Sequence, residues 1–273
     1  MTKMKGVLSM SGCGWNTLWT DQSRQRESKP RTVGINSLID KGLGYHAFQD
    51  LLGTAADHID FIKLGFGTAV ITPYWLLKAK IELARQNQIN LFPGGTFFEV
   101  TYRQGDALAY FQTLLSFGFE WVEISDGTID LTLKERGQAI IQARQLGLNV
   151  ITEIGKKAEH KAPPIEEFLM IYQHDLEHGA AYVTMEGRDH GRQVGIYDEH
   201  GQVQTHYVLE LLKQIDPAKI IWEAPQKKQQ TALLELIRSK ANLGNIPANE
   251  VLAVETLRRG LRSDTFFLWE QQK

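Results

Sequence analysis

The chain has 273 residues, 42% hydrophobic and 23% charged, which is ordinary for a globular protein and long enough for one large domain or two small ones. With a formal net charge of -2 it shows none of the clustered basic character of a nucleic-acid binder, although a local phosphate site remains compatible. Cys13 is the only cysteine, so an intrachain disulfide framework or a cysteine-rich metal site is excluded.

No segment reaches the ~20 continuous apolar residues that a membrane-spanning helix needs. The apolar region before Cys13 is too short for a signal peptide, so the expected compartment is the cytoplasm.

Residues 1–30 follow neither the helical nor the strand period and read as an N-terminal extension, with Trp15, Leu18 and Trp19 available to dock on the surface or on another subunit. From residue 31 a strand-then-helix alternation begins. Arg31–Gly42 contains the first strand, ending at Asp40 and Lys41, and Leu43–Asp57 the first helix. Ile59–Gly65 is the second strand. The helix Tyr74–Gln86 follows it, with Thr72 as cap and Pro73 in the first turn, where its missing N–H does no harm.

A third strand ends near Pro93-Gly94-Gly95-Thr96 and leads to a helix over Gln104–Phe117, stopped by Gly118. Strand Trp121–Gly127, helix Leu133–Leu146, strand Asn149–Gly155, helix Ile165–His178 and strand Tyr182–Gly187 continue the pattern. Asp189–Thr205 reads as a long polar loop before the helix Tyr207–Gln214. Strand Lys219–Glu223, helix Gln229–Ala241, a short strand Leu243–Ile246 and a helix from Ala248 to Leu261 complete the chain.

Eight such units predict a single (β/α)8 barrel over residues 31–273, an architecture of usual size ~250 residues. A doubly wound open sheet is the main alternative, but no G-x-G-x-x-G follows the first strand.

The strand candidates share one design, with apolar residues first and charged residues or glycine last. In Asn149–Lys157 the branched Val150, Ile151 and Ile154 suit a covered strand, and Glu153 and Lys157 share a face because they are an even number apart. In a barrel such ends converge on one cavity. Asp40, Glu123, Asp126, Glu153, Glu186 and Glu223 bring carboxylates there, and Lys63, Lys156, Lys157 and Arg188 bring positive charge. Clustered carboxylates repel one another without a cation, and oxygen-only coordination suits Mg²⁺; Glu123, Asp126, Glu153 and Glu186 are the expected ligands. Each carboxylate could equally serve a cap or ion pair.

Lys63 and Lys157 stand out because a charge ending an apolar strand is costly without a purpose. Lys156, the adjacent residue, faces the other way. The eight histidines show no H-E-x-x-H spacing, so zinc is not expected.

Gly65, Gly67, Gly94 and Gly95 serve tight turns or expose backbone N–H groups to a phosphate. A G-x-x-x-x-G-K-S/T phosphate loop is absent. Glu255–Thr265 places Arg258, Arg259 and Arg262 at the last helix end, either as cations complementing the helix dipole or as an anion site for this subunit or a neighbour. The candidate substrate-binding residues are Gly94, Gly95, Arg188, Asn245 and these three arginines.

Over roughly Lys29–Phe267 the chain resembles the phosphosulfolactate synthase family. The segments that carry the resemblance are I-D-K-G-L-G, D-F-I-K-L-G-F-G-T, F-P-G-G-T-F-F-E, V-E-I-S-D-G-T-I, T-E-I-G-K-K, E-G-R, W-E-A-P, N-L-G-N-I and E-T-L-R-R-G-L-R-S-D-T, in this order. The start departs from the pattern, with Gly34-Ile35-Asn36-Ser37 in place of a Gly-Leu-Thr-Met type of run.

The resemblance implies a barrel enzyme that adds sulfite to phosphoenolpyruvate with Mg²⁺, giving (2R)-phospho-3-sulfolactate; a homo-oligomer is the expected assembly. The family reaction leads toward coenzyme M in methanogens and toward sulfolactate in some spore-forming bacteria. Attack of sulfur on C3 and protonation at C2 require an acid, for which Lys157 is favoured and Lys156 is the substitute. Two other classes fit the residues: an aldolase forming a Schiff base on Lys63 or Lys157, and a non-catalytic binding protein like the heat-stress-associated plant members of the family.

Overall fold

The computed structural model describes residues 14–156 and 162–269. Eight strands form one parallel sheet: β1 (Asn36–Asp40), β2 (Phe61–Leu64), β3 (Asn90–Pro93), β4 (Trp121–Ser125), β5 (Asn149–Ile154), β6 (Tyr182–Met185), β7 (Ile220–Glu223) and β8 (Leu243–Pro247). Their order is β3-β2-β1-β8-β7-β6-β5-β4, so the first and last strands pair, and β3 and β4 face each other across the remaining seam. The result is a nearly closed (β/α)8 barrel. Among the described residues, no helix is long and apolar enough to cross a membrane.

The strands are buried along almost their whole length, as expected when helices cover one face and the barrel interior the other. Side chains alternate, so every second residue points inward. Ile35, Phe61, Phe92, Ile151, Tyr182 and Ile221 form an apolar inner layer, in which the Phe61 ring stands edge-on to Phe92, Trp121 and Tyr182. Two residues further along their strands come Lys63, Glu123, Glu153 and Glu223, all buried. The interior therefore changes from aromatic to ionic within one pleat repeat, and the ionic layer lies toward the strand C-termini.

The helices begin and end close to the periodic segments. Leu133–Gln145 opens with a capping box, Thr132 accepting from the Glu135 N–H while the Glu135 carboxylate accepts from Thr132 N–H. Tyr74–Gln86 follows Pro73, but the Thr72 hydroxyl donates back to Thr68 O rather than capping it.

Three expectations are corrected. The first strand is confined to Asn36–Asp40, because Arg31 and Gly34 are occupied below the barrel. The expected helix Gln104–Phe117 is preceded by another, Gly95–Arg103, the two being separated at Gln104-Gly105-Asp106 where Gly105 has φ 76°. The segment Asp189–Thr205 is the long loop expected, but it is not polar throughout. Val194, Ile196 and Tyr197 are buried in the core, and the Tyr197 hydroxyl donates to Glu223 O at 2.5 Å.

The end of the N-terminal extension closes the opposite mouth of the barrel. Gln22 N–H donates to Arg259 O, Arg26 pairs with Glu255 at 2.7 Å, and Arg31 pairs with Asp60 at 3.0 Å. Trp15 and Trp19 are largely exposed.

Candidate active site

The ionic layer is centred on Lys63. Its ammonium donates to Glu123 at 3.0 Å, Glu153 at 2.9 Å and Glu223 at 2.8 Å, which join β2, β4, β5 and β7 at one point. Burial lowers the lysine's proton affinity, but the three carboxylates reverse this and hold its pKa well above the ordinary value. Lys63 is thus a fixed positive charge, and it is outnumbered. Burial pushes the Glu123 carboxyl up to about 7 despite the attraction of Lys63, and raises Glu223 in the same sense.

Glu186, at the tip of β6, has no such cation partner. Burial, then the neighbouring Glu153 and Glu223 and a hydrogen bond with Glu153, hold its carboxyl well above the usual range. Glu153, Glu186 and Glu223 each offer an oxygen within 4.8 Å of the other two. Three carboxylates this close fit the all-oxygen demand of Mg²⁺. Two of the expected ligands, Glu153 and Glu186, are brought together, and Glu223 lies beside them.

Glu123 stands apart from this trio, its second oxygen accepting from Gly95 N–H at 2.7 Å. Asp126 turns outward, paired with Arg136 and Lys156.

Lys63, Glu123, Glu153, Glu186 and Glu223 line a cavity of about 550 Å³ at the C-terminal ends of the strands, together with Gly94, Gly95, Thr96, Thr128, Arg188, Asp189 and Asn245. Lys63 and Arg188 are the cationic side chains lining it among the described residues. A Cβ on Gly95 would lie 2.5 Å from Ser125 Oγ, so glycine is needed there for close packing. Since its N–H serves Glu123, that group is not open to a phosphate.

Lys156 lies outside the cavity. Its ammonium donates to Asp126 O, Asp126 Oδ2, Ile129 O and Asp130 Oδ1, at 2.9 to 3.2 Å. Lys157 falls outside the described residues. The three arginines are not brought to the cavity at all. Arg258 is fully buried near the strand N-termini, donating to Ser239 O and Ala241 O at 2.6 Å and to Asn36 Oδ1 at 2.8 Å. Arg259 pairs with Glu255 and Arg262 with Asp264. Asn36, part of the divergent start, shares this closed end rather than the cavity.

Two further residues shape the site. Glu99, which closes the F-P-G-G-T-F-F-E segment, accepts from Ser125 Oγ at 2.5 Å and from the N–H groups of Gly127 and Thr128, fixing the turn after β4. Arg136 ties Asp126, Asp175 and the Glu153 carbonyl together from a helix. A polar residue on the inner face of an amphipathic helix is the only sequence signal that Arg136 offers.

A sequence profile of (2R)-phospho-3-sulfolactate synthase matches residues 24–264. The phosphosulfolactate synthase of Methanocaldococcus jannaschii is 41% identical over 235 residues, 85% of this chain and 94% of that one. That of Bacillus subtilis is 38% identical over 246 residues, 89% and 96% of the two chains. Solved structures resemble it in fold alone. They include 3-hexulose-6-phosphate synthase from Salmonella typhimurium (TM-score 0.53, 14% identity, 81% of this chain and 97% of that one). Another is 3-keto-L-gulonate-6-phosphate decarboxylase from Vibrio cholerae (TM-score 0.53, 10% identity, 83% and 96%). With the profile spanning most of the chain and such relatives matching nearly end to end, the chain belongs to the (2R)-phospho-3-sulfolactate synthase family of enzymes.

Proposed function

We propose that this chain adds sulfite to C3 of phosphoenolpyruvate, giving (2R)-phospho-3-sulfolactate, with Mg²⁺ as cofactor. The observation that carries the reading is the buried Lys63–carboxylate layer opening into the cavity, in a chain of this family. When bound by Glu153, Glu186 and Glu223, Mg²⁺ supplies positive charge to substrate oxygens that gain electron density.

The residues divide the remaining work. Arg188 offers a guanidinium suited to the substrate's phosphate or carboxylate. The sulfite sulfur lone pair forms the C–S bond at C3, and the C2–C3 π electrons move toward the carboxylate, giving an enediolate-like species. Lys63 remains protonated throughout and holds three carboxylates in place. Protonation at C2 then completes the addition.

For that step we favour Lys157. Lys156 is engaged by four oxygens, and Lys63 is too firmly protonated to act as an acid. The same protonation weighs against Lys63 as a Schiff-base nucleophile, which must be a neutral amine. Self-association is supported by the exposed apolar side chains of Val70, Ile71, Tyr74 and Trp75.

The direct test mixes purified protein, phosphoenolpyruvate, sulfite and Mg²⁺ and follows phosphorus resonances and mass. A new phosphorylated sulfonate that depends on all four components is expected. Its absence with folded protein would overturn the assignment, and full turnover after thorough metal stripping would remove Mg²⁺ from it.

A further inference from the structure

Asn245, in β8, combines three features that the fold alone does not require. Its backbone is left-handed, with φ 51°. Its side chain is buried at the cavity wall, and its Oδ1 has no hydrogen-bond partner. Its Nδ2 donates to the Arg188 carbonyl at 3.1 Å.

The last contact fixes which way the amide points. A carbonyl oxygen only accepts, so exchanging Oδ1 and Nδ2 would set two oxygens against each other. The unpartnered atom is therefore the oxygen, and a buried acceptor left this way is costly unless something binds it. A ligand bearing positive charge, or a donor, is implied.

The neighbours decide which. Arg188 N–H donates to Glu186 Oε1 at 2.8 Å and to Glu223 Oε2 at 3.0 Å, and Arg188 itself is left-handed at φ 55°. One residue thus connects the Asn245 amide to two carboxylates of the metal-competent trio. Gly244, the preceding residue, pairs in register with Glu223. Asn245 Oδ1, buried without a hydrogen bond, lines one cavity with the Glu186 carboxyl, which hydrogen-bonds to Glu153 in the empty protein. Fully deprotonated phosphoenolpyruvate and sulfite carry no hydrogen-bond donor for the amide oxygen. A hard divalent cation satisfies it together with the carboxylates, since amide and carboxylate oxygens are its usual ligands.

We propose that Asn245 Oδ1 is a neutral oxygen ligand of the divalent cation held by Glu153, Glu186 and Glu223. This rests on the Mg²⁺ reading above and extends it to a residue of β8, so that the ion joins β5, β6, β7 and β8. The left-handed backbone is then part of the site, because it turns the amide oxygen inward while the amide nitrogen holds the β6 tip.

The test titrates metal-free protein with Mn²⁺, following free Mn²⁺ by electron paramagnetic resonance without substrates. Asn245→Gly accepts φ 51° without strain and removes the oxygen. Asn245→Asp keeps an oxygen at the same position. A Mn²⁺ site displaced by Mg²⁺ is expected in the parent, weakened roughly 10- to 100-fold in Asn245→Gly and retained in Asn245→Asp, on the scale seen for partners of metal ligands.

Unchanged affinity in Asn245→Gly, or equal loss in both variants, would overturn the ligand role. Equal loss would instead identify the bond to Arg188 as the essential one. A manganese-soaked crystal of the parent decides the matter without any variant. An anomalous peak in bonding contact with Asn245 Oδ1 supports the proposal, and a peak on the carboxylates alone overturns it. If the parent makes phosphosulfolactate yet binds no Mn²⁺, both the ligand role and the metal fall while the reaction stands.

Discussion

The two ends of the barrel both bury charge, but they balance it in opposite ways. At the N-terminal end Glu255 is surrounded by Arg26, Arg258 and Arg259, whose pull overcomes the cost of burial and holds its carboxyl far below the usual range. Arg258 directs its terminal nitrogens to carbonyls and to Asn36, while its Nε is buried without a hydrogen-bond partner and burial pushes its guanidinium pKa down to about 9. At the C-terminal end Lys63 faces three carboxylates, and Asn245 retains a buried oxygen without a hydrogen bond. The N-terminal network, with arginines in surplus, ties Arg26 to the last helix. The C-terminal network, with carboxylates in surplus, lines a cavity where a ligand can answer them, at the expense of the empty protein's stability.

The largest effect expected from disturbing this contrast is that of Lys63→Met. It strands three buried carboxylates, so unfolding should occur about 3–5 kcal/mol more easily and turnover should vanish together with stability. Urea unfolding beside an activity assay checks both. Near-normal turnover would show that the layer is not part of the site.

Glu255→Gln should cost a comparable 3–5 kcal/mol, because it uncovers buried arginines, yet kcat and KM of the folded fraction should stay unchanged. A change in KM would mean that the closed end communicates with the cavity.

Lys157→Met should leave stability intact and reduce kcat by roughly 10²–10⁴, the usual scale for a general acid. Lys156→Met should act through the turn that it holds. An equal kcat loss in Lys156→Met alone would move the acid to Lys156.

A smaller loss is expected from Arg258→Lys. An ammonium cannot match the forked contacts to Ser239, Ala241 and Asn36, so about 1–3 kcal/mol of stability should go while KM for both anionic substrates is unchanged. A raised KM would restore this segment as an anion site.

The two ends should also differ in pH dependence. Glu123 binds its proton more tightly folded than unfolded, so its contribution is present below about 4.5 and lost as pH rises through about 7. Metal-free protein should therefore lose melting temperature across that interval, and Glu123→Gln should flatten the slope. Glu255 works in reverse. Its folded pKa is depressed, so its contribution is present above 4.5 and lost as pH falls below that value. A Glu255→Gln melting curve with an unchanged acid limb would break the symmetry.

Much of this contrast was visible in the residues. The apolar-then-charged strands announced a barrel with chemistry at one rim, and Lys63, Glu153, Glu186 and Glu223 converge there as expected. The arginines of Glu255–Thr265 misled because a helix-terminal Arg cluster looks the same in sequence whether it meets a ligand or a carboxylate. Arg26 and Asn36, more than 200 residues earlier, decide that outcome. Arg136 went unread, and Glu99 was visible only as the end of F-P-G-G-T-F-F-E, because one polar residue in a helix gives no sign of the turn that it pins.

The sequence by itself determined the periodicity, and with it the alternation of strands and helices, the covered barrel interior and the family, because these depend on local spacing and side-chain type. Only the tertiary structure decided charge balance. Which carboxylate has a cation, which glycine N–H is taken and which amide oxygen is left unpaired depend on side chains brought within hydrogen-bond distance from distant strands. A hydrogen bond or ion pair is settled by fractions of an ångström that no one-dimensional pattern encodes.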